Sequence, residues 1–536
     1  MAAIQSGRPM AAAVGLAARQ LTRGAVVWSS VFALTAFTTV RGYTAAYRTA
    51  AERRSIAVLL GRNPAFDALY GVARRIDTPG GFTAWRVGGF LLVLSALWAL
   101  LAATRLIRGE EEAGRTELVR AGAVTSLQAT AAVLVALALG VVVVSVSLFA
   151  TLWAAGLAPA GSGLLACNVA LVGFAFAALG TLTAQLASAR RRAAAQAGAV
   201  LGAAFAVRLV ADGTRGLGWL RWCSPLGWAE ETRPFAGNRL GPLVLLIGWT
   251  LVFGGVGVWL QARRDLGAGV LGAGRAPRSR LRLLGSSLAF ALRSEIGVVA
   301  AWTVGIGTGA LLFGVLAKDV GAFISTSNGV QRTLARLVAG SIVRPAGFLG
   351  FTFTFLVLPV TVMGVLLVGA ARAEESAGRL EPVLACAVPR WRWLVGRVAV
   401  IVGAVVVTLV ACTVLTWLGA ATRHAGVGLG DMARAGVNCL PPALLFMGIA
   451  VAAFGVLPRA TVAVGAGAVV LAYLVQIVGA AVRFPAWVLD VSPFHHMAAV
   501  PATPANVTAS VVMLCVAAAF VASGLIAFSR RDLAPA

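Results

Sequence analysis

Long apolar runs alternate with short charged intervals along the whole chain of 536 residues. In the first half the runs lie near 24–45, 87–104, 127–153, 163–187, 195–212 and 241–260. In the second half they lie near 296–316, 348–370, 394–420, 435–457, 461–481 and 508–528. Each is long enough, as an α-helix, to cross a hydrocarbon core of ~30 Å. Only a helix satisfies the backbone of such a segment in lipid. The pattern predicts an all-α polytopic membrane protein with about 12 transmembrane helices.

Two shorter stretches carry a different period. Met10, Val14, Ala17 and Leu21 form one helical stripe over residues 10–23, with Arg19, Gln20 and Arg23 elsewhere. Leu281, Leu284, Leu288 and Leu292 have the same kind of helical spacing over 281–293, flanked by Arg280, Arg282 and Arg293. Both predict interfacial amphipathic helices, apolar face toward acyl chains and arginines toward headgroups. The stretch NPAFDALYGVARR, in a long loop over 41–86, predicts an amphipathic surface helix with Phe66, Leu69 and Tyr70 against lipid or a neighbouring span.

Composition agrees with the pattern: 59% of residues are apolar and 12% charged, about half the charge of a soluble chain. The net charge of +26 does not point to nucleic acid, because the arginines sit between apolar runs, where they meet phosphate headgroups. An even number of spans puts both termini on one side. The dense clusters Arg190-Arg191-Arg192 and Arg530-Arg531 assign that side to the cytoplasm. The first 23 residues lack the compact apolar block of a signal peptide. Six cysteines without a CxxC pair predict buried thiols, not a disulfide framework or a zinc site. The three histidines, His424, His495 and His496, lack the company a metal needs. Gly198 and Gly202 have the small-xxx-small spacing of close helix packing.

One charged sentence is written twice. RGEEEAGRTELVRAGAV at 108–124 returns as RAEESAGRLEPVLACAV at 372–388. Under a shift of 264, Arg108, Glu110, Glu111, Ala113, Gly114, Arg115 and Glu117 fall on Arg372, Glu374, Glu375, Ala377, Gly378, Arg379 and Glu381. Each copy follows the second span of its half. Farther on, Ser224-Pro225 in SPLGW meets Ser492-Pro493 in SPFHH, each before the sixth span of its half. The chain therefore reads as two parallel six-helix repeats: a first half over 1–262, a cytoplasmic linker over 263–280 and a second half over 281–536. A plain solvated loop explains one charged copy. Two copies, with acids where arginine alone would set topology, predict a contact surface for another protein.

These features together resemble type-2 ABC exporter permeases: the pattern EExGRxE after the second span, an amphipathic helix leading into six spans, and SPxGW before the sixth. The twelve-span form, with both halves in one chain, is similar to actinobacterial antibiotic-efflux permeases of the tetronasin-resistance type. The resemblance covers essentially the whole chain and departs at His495-His496, which stand where the first half has Gly227-Trp228. It implies that Glu110, Glu111, Arg115 and Glu117, and Glu374, Glu375, Arg379 and Glu381, dock a cytoplasmic ABC ATPase subunit. About two such subunits are expected per chain, ATP-Mg being bound on them. It implies export of antibiotics or drugs across a bacterial plasma membrane, along a path between the halves; a path without buried charge suits a hydrophobic or amphiphilic molecule, a lipid included.

The chain lacks a P-loop of its own: its single lysine, Lys318, is followed by Asp319. An ion-coupled secondary transporter is the first alternative, and it needs ionisable groups partway across the membrane. No acid falls near the middle of a span. Arg208 and Asp212 lie toward the outer end of the fifth, where snorkelling accounts for them. Glu295 and Arg397 sit at span starts. A lipid-sugar glycosyltransferase is the enzyme alternative, with Glu52, Asp67 or Asp77 of the first outer loop as its catalytic acid.

Overall fold

A computed structural model describes residues 2–61, 64–120, 124–214, 216–264, 269–270, 286–326, 345–385, 388–482 and 485–533. Those residues contain helices and no β-strand. The chain divides into two compact units, Met1–Ser279 and Arg280–Ala536. The predicted linker falls mostly outside the described residues, as do Leu281 and Leu284 of the second leading helix.

Twelve helices among the described residues are long and apolar enough to cross a membrane. In the first unit they are Met10–Ala46, Pro79–Glu112, Ser126–Ala154, Pro159–Leu186, Arg190–Gly213 and Leu243–Arg263. In the second they are Ser287–Lys318, Ala346–Ser376, Arg390–Thr422, Leu429–Val456, Pro458–Gln476 and Val507–Arg530. They match the twelve predicted runs one for one, and most extend past them. Polar residues at the ends of an apolar run go on forming helix because their backbone groups still need partners.

The two units pack alike. In the first, span 1 lies on span 3, span 2 on span 4, and span 4 on span 6. In the second, span 7 lies on span 9, span 8 on span 10, and span 10 on span 12. Glycine sets the closest approaches. A Cβ on Gly314 would meet the Thr416 carbonyl, and one on Gly419 the Leu311 carbonyl, so spans 7 and 9 touch backbone to backbone. Gly455 and Gly524 do the same for spans 10 and 12. The predicted pair Gly198 and Gly202 does not: nothing lies within 4 Å of a Cβ built on either. Spacing alone does not reveal which side of a helix faces a neighbour.

The surfaces left over suit lipid. Val244, Leu251 and Val252 of span 6 are each more than half exposed within the unit, as are Val511 and Val512 of span 12. In water such faces would be a liability; in acyl chains they are the expected outer surface.

The first leading helix departs from expectation. Ala2–Ala46 is one unbroken helix, so the amphipathic stripe continues into span 1. Ala17 and Leu21 are buried against Ala99, Ala103 and Leu106 of the second span's helix and Leu137 of the third, not against acyl chains. Small Ala17, a thin contribution to an apolar stripe, permits that close packing. In the second unit Leu288 and Leu292 are exposed, as a lipid-facing stripe requires. There too the described part of the stripe is continuous with its span, in the helix Ser287–Thr326.

Candidate functional site

The twice-written sentence begins inside the second span of each half. In the first, Pro79–Thr104 runs on through a π-helical turn, Arg105–Gly109, into Glu110–Glu112. In the second, Pro345–Ser376 carries Glu374 and Glu375 in its last turn. Both helices stop at the glycine of the motif. Gly114 has φ +71° and Gly378 has φ +67°, a left-handed turn that glycine takes without strain. Beyond the turn the short helices Arg115–Arg120 and Glu381–Ala385 begin.

The eight predicted docking residues divide. Glu111 and Glu375 face inward, their side chains 6% and 1% exposed. Glu111 accepts from Arg108 at 3.0 Å, one helical turn back. It also takes both arms of Arg264, at 2.8 and 2.6 Å. Glu375 pairs with Arg372 at 3.2 Å, again one turn back. It takes both arms of Arg531, at 2.5 and 2.9 Å. Arg264 and Arg531 are the residues that cap the sixth span of each half. Each also reaches the last turn of the fourth. Arg264 Nε donates to the Gln185 side chain at 2.5 Å, and Arg531 Nη2 to the Phe454 carbonyl at 3.2 Å. Two buried clasps therefore tie the end of the second span to the end of the sixth, one in each unit. An arginine fork on a carboxylate is among the stronger and more directional polar contacts available.

Arg115, Glu117, Arg379 and Glu381 are exposed, and they form the tip beyond the glycine turn. Glu110 and Glu374 lie between, half-buried. Glu110 is held by Arg115 at 2.6 and 2.8 Å. Glu374 joins Arg397, which also meets Glu295 at 3.2 Å and Ser294 at 3.1 Å. The residues at two span starts thus join the motif of the second half. Glu112, which sequence reasoning passed over, accepts the backbone N–H of Arg190 at 2.7 Å and caps the fifth span.

Arg264 and Arg531 were also missed, although a signal for them exists. The tetrapeptide Arg-Arg-Asp-Leu stands at 263–266 and again at 530–533, each time at the end of the sixth span. Carrying the repeat to the last helix of each half would have found both arginines.

The matches to known proteins fit this architecture. Residues 284–529 match the family described as Multidrug efflux system permease Rv1217c, C-terminal domain. The chain is 30% identical to the multidrug efflux system permease protein Rv1217c of Mycobacterium tuberculosis over 497 residues, which is 91% of this chain and 88% of that protein. The chain belongs to this permease family.

At the opposite end of its first unit the permease holds a second set of charges. Arg208 and Asp212 are buried, so snorkelling is not their role. Arg208 Nε donates to Asp212 and to Glu230, both at 3.1 Å, and Arg221 reaches Asp212 at 2.5 Å. Glu230 accepts the Val72 N–H at 2.7 Å, which brings in the loop between the first and second spans. Glu231 pairs with Arg74 at 2.7 Å and Arg233 at 2.8 Å. Burial alone would raise the Glu231 pKa. The hydrogen bonds and charges of Arg74 and Arg233 outweigh it and bring the value down to about 2. A cavity of about 60 Å³ adjoins the network, lined by Tyr70, Trp85, Asn168 and Arg208 among others. A larger cavity, of about 690 Å³, is lined by Asp67, Val72, Asp212 and Arg221 among others.

The acids between the first and second spans of the permease have structural partners. Glu52 completes a capping box with Thr49. Asp67 accepts the Ala73 N–H at 3.2 Å, and burial raises its pKa. Asp77 lies 3.7 Å from Arg75. Tyr70 packs on Trp85, a neighbouring span, with ring centroids 5.0 Å apart. His496 bonds the Asp490 carbonyl at 2.8 Å, closing a local turn. Among the described residues no group of three or more His, Cys, Asp or Glu could hold a metal. Cys412 and Cys439 are buried thiols as expected, but Cys223 and Cys515 are exposed, and Cys386 lies outside the described residues.

Proposed function

We propose that the chain is the transmembrane subunit of an ATP-driven exporter of hydrophobic or amphiphilic molecules, drugs and antibiotics foremost and lipids next. The reading combines family membership with one observation. Each half presents an exposed charged tip, Arg115 with Glu117 and Arg379 with Glu381, just past the end of its second span. A cytoplasmic ABC ATPase subunit would dock on each tip, carrying its own ATP-Mg, and both chain termini would lie on that cytoplasmic side. ATP favours one orientation of the tips only if the docked subunits bind it more tightly in that orientation. The finer likeness to the tetronasin-resistance type rests on the twin motifs and makes antibiotics the first substrates to try.

Glu111 and Glu375 leave the docking surface in this reading, because their carboxylates are engaged inside each unit. Glu110 and Glu374 flank it. The ion-coupled alternative gains little from Asp212, whose carboxylate is held by Arg208 and Arg221.

The test is co-purification in mild detergent from the native host, followed by an ATPase assay. An ATPase subunit for each half should accompany the chain. The four-fold variant R115E, E117R, R379E and E381R should insert normally and lose that subunit. A chain that purifies alone with both tips intact would sink the docking reading. Transport that collapses with an uncoupler and ignores vanadate would favour ion coupling instead.

A further inference from the structure

We infer that Glu111 and Glu375 are positioning residues: each makes the charged tip and the end of the sixth span of its half move as one body during transport. This rests on the transport reading above.

Three observations carry it. First, both clasps are built alike, with an arginine one turn back on the same helix and a forked arginine from just beyond the sixth span. Fork-on-carboxylate pairing fixes direction as well as distance, which apolar packing of similar volume would not. Second, most of the sixth span's surface lies outside the packing of its unit, so its end gains direction from the clasp. Only 11% of its apolar window is buried within its unit, and 22% for the twelfth, against 61% for each second span. Third, the glycine turn at Gly114 or Gly378 comes three residues after the clasped glutamate. A force on the exposed tip reaches Glu111 or Glu375 within one turn of backbone.

In the first half the clasp extends further. Arg108 Nη2 donates to the Ser188 carbonyl at 2.8 Å, between the fourth and fifth spans. In the second half Arg531 also lies over the rings of Phe454 and Phe528, at 5.2 and 5.1 Å. The supports differ between the halves while the glutamate and its two arginines persist, which locates the common role in those three side chains.

The test is hydrogen–deuterium exchange of the full chain in lipid nanodiscs, with ethidium efflux from cells as a second readout. E111Q should speed exchange about tenfold at both 108–117 and 256–263, and leave 372–381 and 524–531 unchanged. E375Q should do the reverse. The double variant E111Q/R264Q should be no worse than either single change, as for two residues acting as a unit. The maximal ethidium efflux rate per molecule in the membrane should fall, at an unchanged half-saturating concentration; a general loss of fold would lower the amount of protein instead. Faster exchange at 108–117 with 256–263 unchanged, or additive effects in the double variant, would overturn the proposal. A wild-type chain that does not extrude ethidium would count against the transport reading for this cation, and the exchange data would then decide the clasp by themselves.

Discussion

The two halves of the permease agree at one end and differ at the other. At the motif end both close the same clasp, Arg108, Glu111 and Arg264 against Arg372, Glu375 and Arg531. At the opposite end the hydrogen-bonded frame is shared. Ser224 Oγ donates to the Ala204 carbonyl at 2.8 Å, and Ser492 Oγ to the Ala472 carbonyl at 2.9 Å. Asn168 donates to the Ala229 carbonyl at 3.1 Å, and Asn438 to the Ala498 carbonyl at 2.8 Å. The charges on that frame are not shared. Under the shift of 268 that aligns the two serines, Arg208, Asp212, Arg221, Glu230 and Glu231 fall on Gln476, Ala480, Leu489, Ala498 and Ala499. The lesson is one of cost. A buried network of ions must be kept whole or removed whole, since a part of it leaves an uncompensated charge. The second half has none of the five, and its one polar survivor is the neutral Gln476.

The largest effect expected from this contrast is at Arg208. Arg208→Leu leaves Asp212 and Glu230 short of a partner and should cost about 3–5 kcal/mol. Gln476→Leu at the matching position should change stability by less than about 1 kcal/mol, because the Gln476 Oε1 is buried without a hydrogen bond. Thermal unfolding of the purified chain measures both, and equal losses would break the comparison. The next effect is in acid. The folded-state pKa of Glu231 lies below its usual 4.5, at about 2. Its contribution is therefore present above about pH 4.5 and lost as pH falls toward 2. Melting temperature followed over that window should drop less steeply in Glu231→Gln than in the wild type. Ala499→Gln, in the half without the charge, should leave the slope unchanged. The smallest effect tests what the halves share. Ser224→Ala and Ser492→Ala should each cost about 1 kcal/mol, and by similar amounts. A large difference between them would mean that the frame, as well as its charges, has diverged.

Much of this was legible in the sequence. Twelve apolar runs foretold twelve spans, because lipid leaves a backbone no other choice. The two serines at a shift of 268 marked a correspondence that the structure bears out: each donates to an alanine carbonyl twenty residues back. The motif was legible as a repeat, but its parts were not separable: Glu111 and Arg115 look alike in a charged string, and only the fold turns one inward and the other out. The partners of Glu111 were hidden by distance, since Arg264 is 153 residues away and no local period links them. Asp212 was misjudged because an ionisable residue near a span end has a cheap explanation in snorkelling. That explanation fails when Arg208 and Arg221 converge on it from either side. Leu21 was assigned to lipid for a similar reason: a stripe identifies an apolar face, not what covers it.

Each clasp is closed within one half, and this bears on ancestry. Copying a six-span gene copies Arg108, Glu111 and Arg264 together, so the duplicate begins with a complete set and needs nothing from its sibling. Selection can then hold the clasp in both descendants while the far end of one carries a whole charged network and the far end of the other does without it.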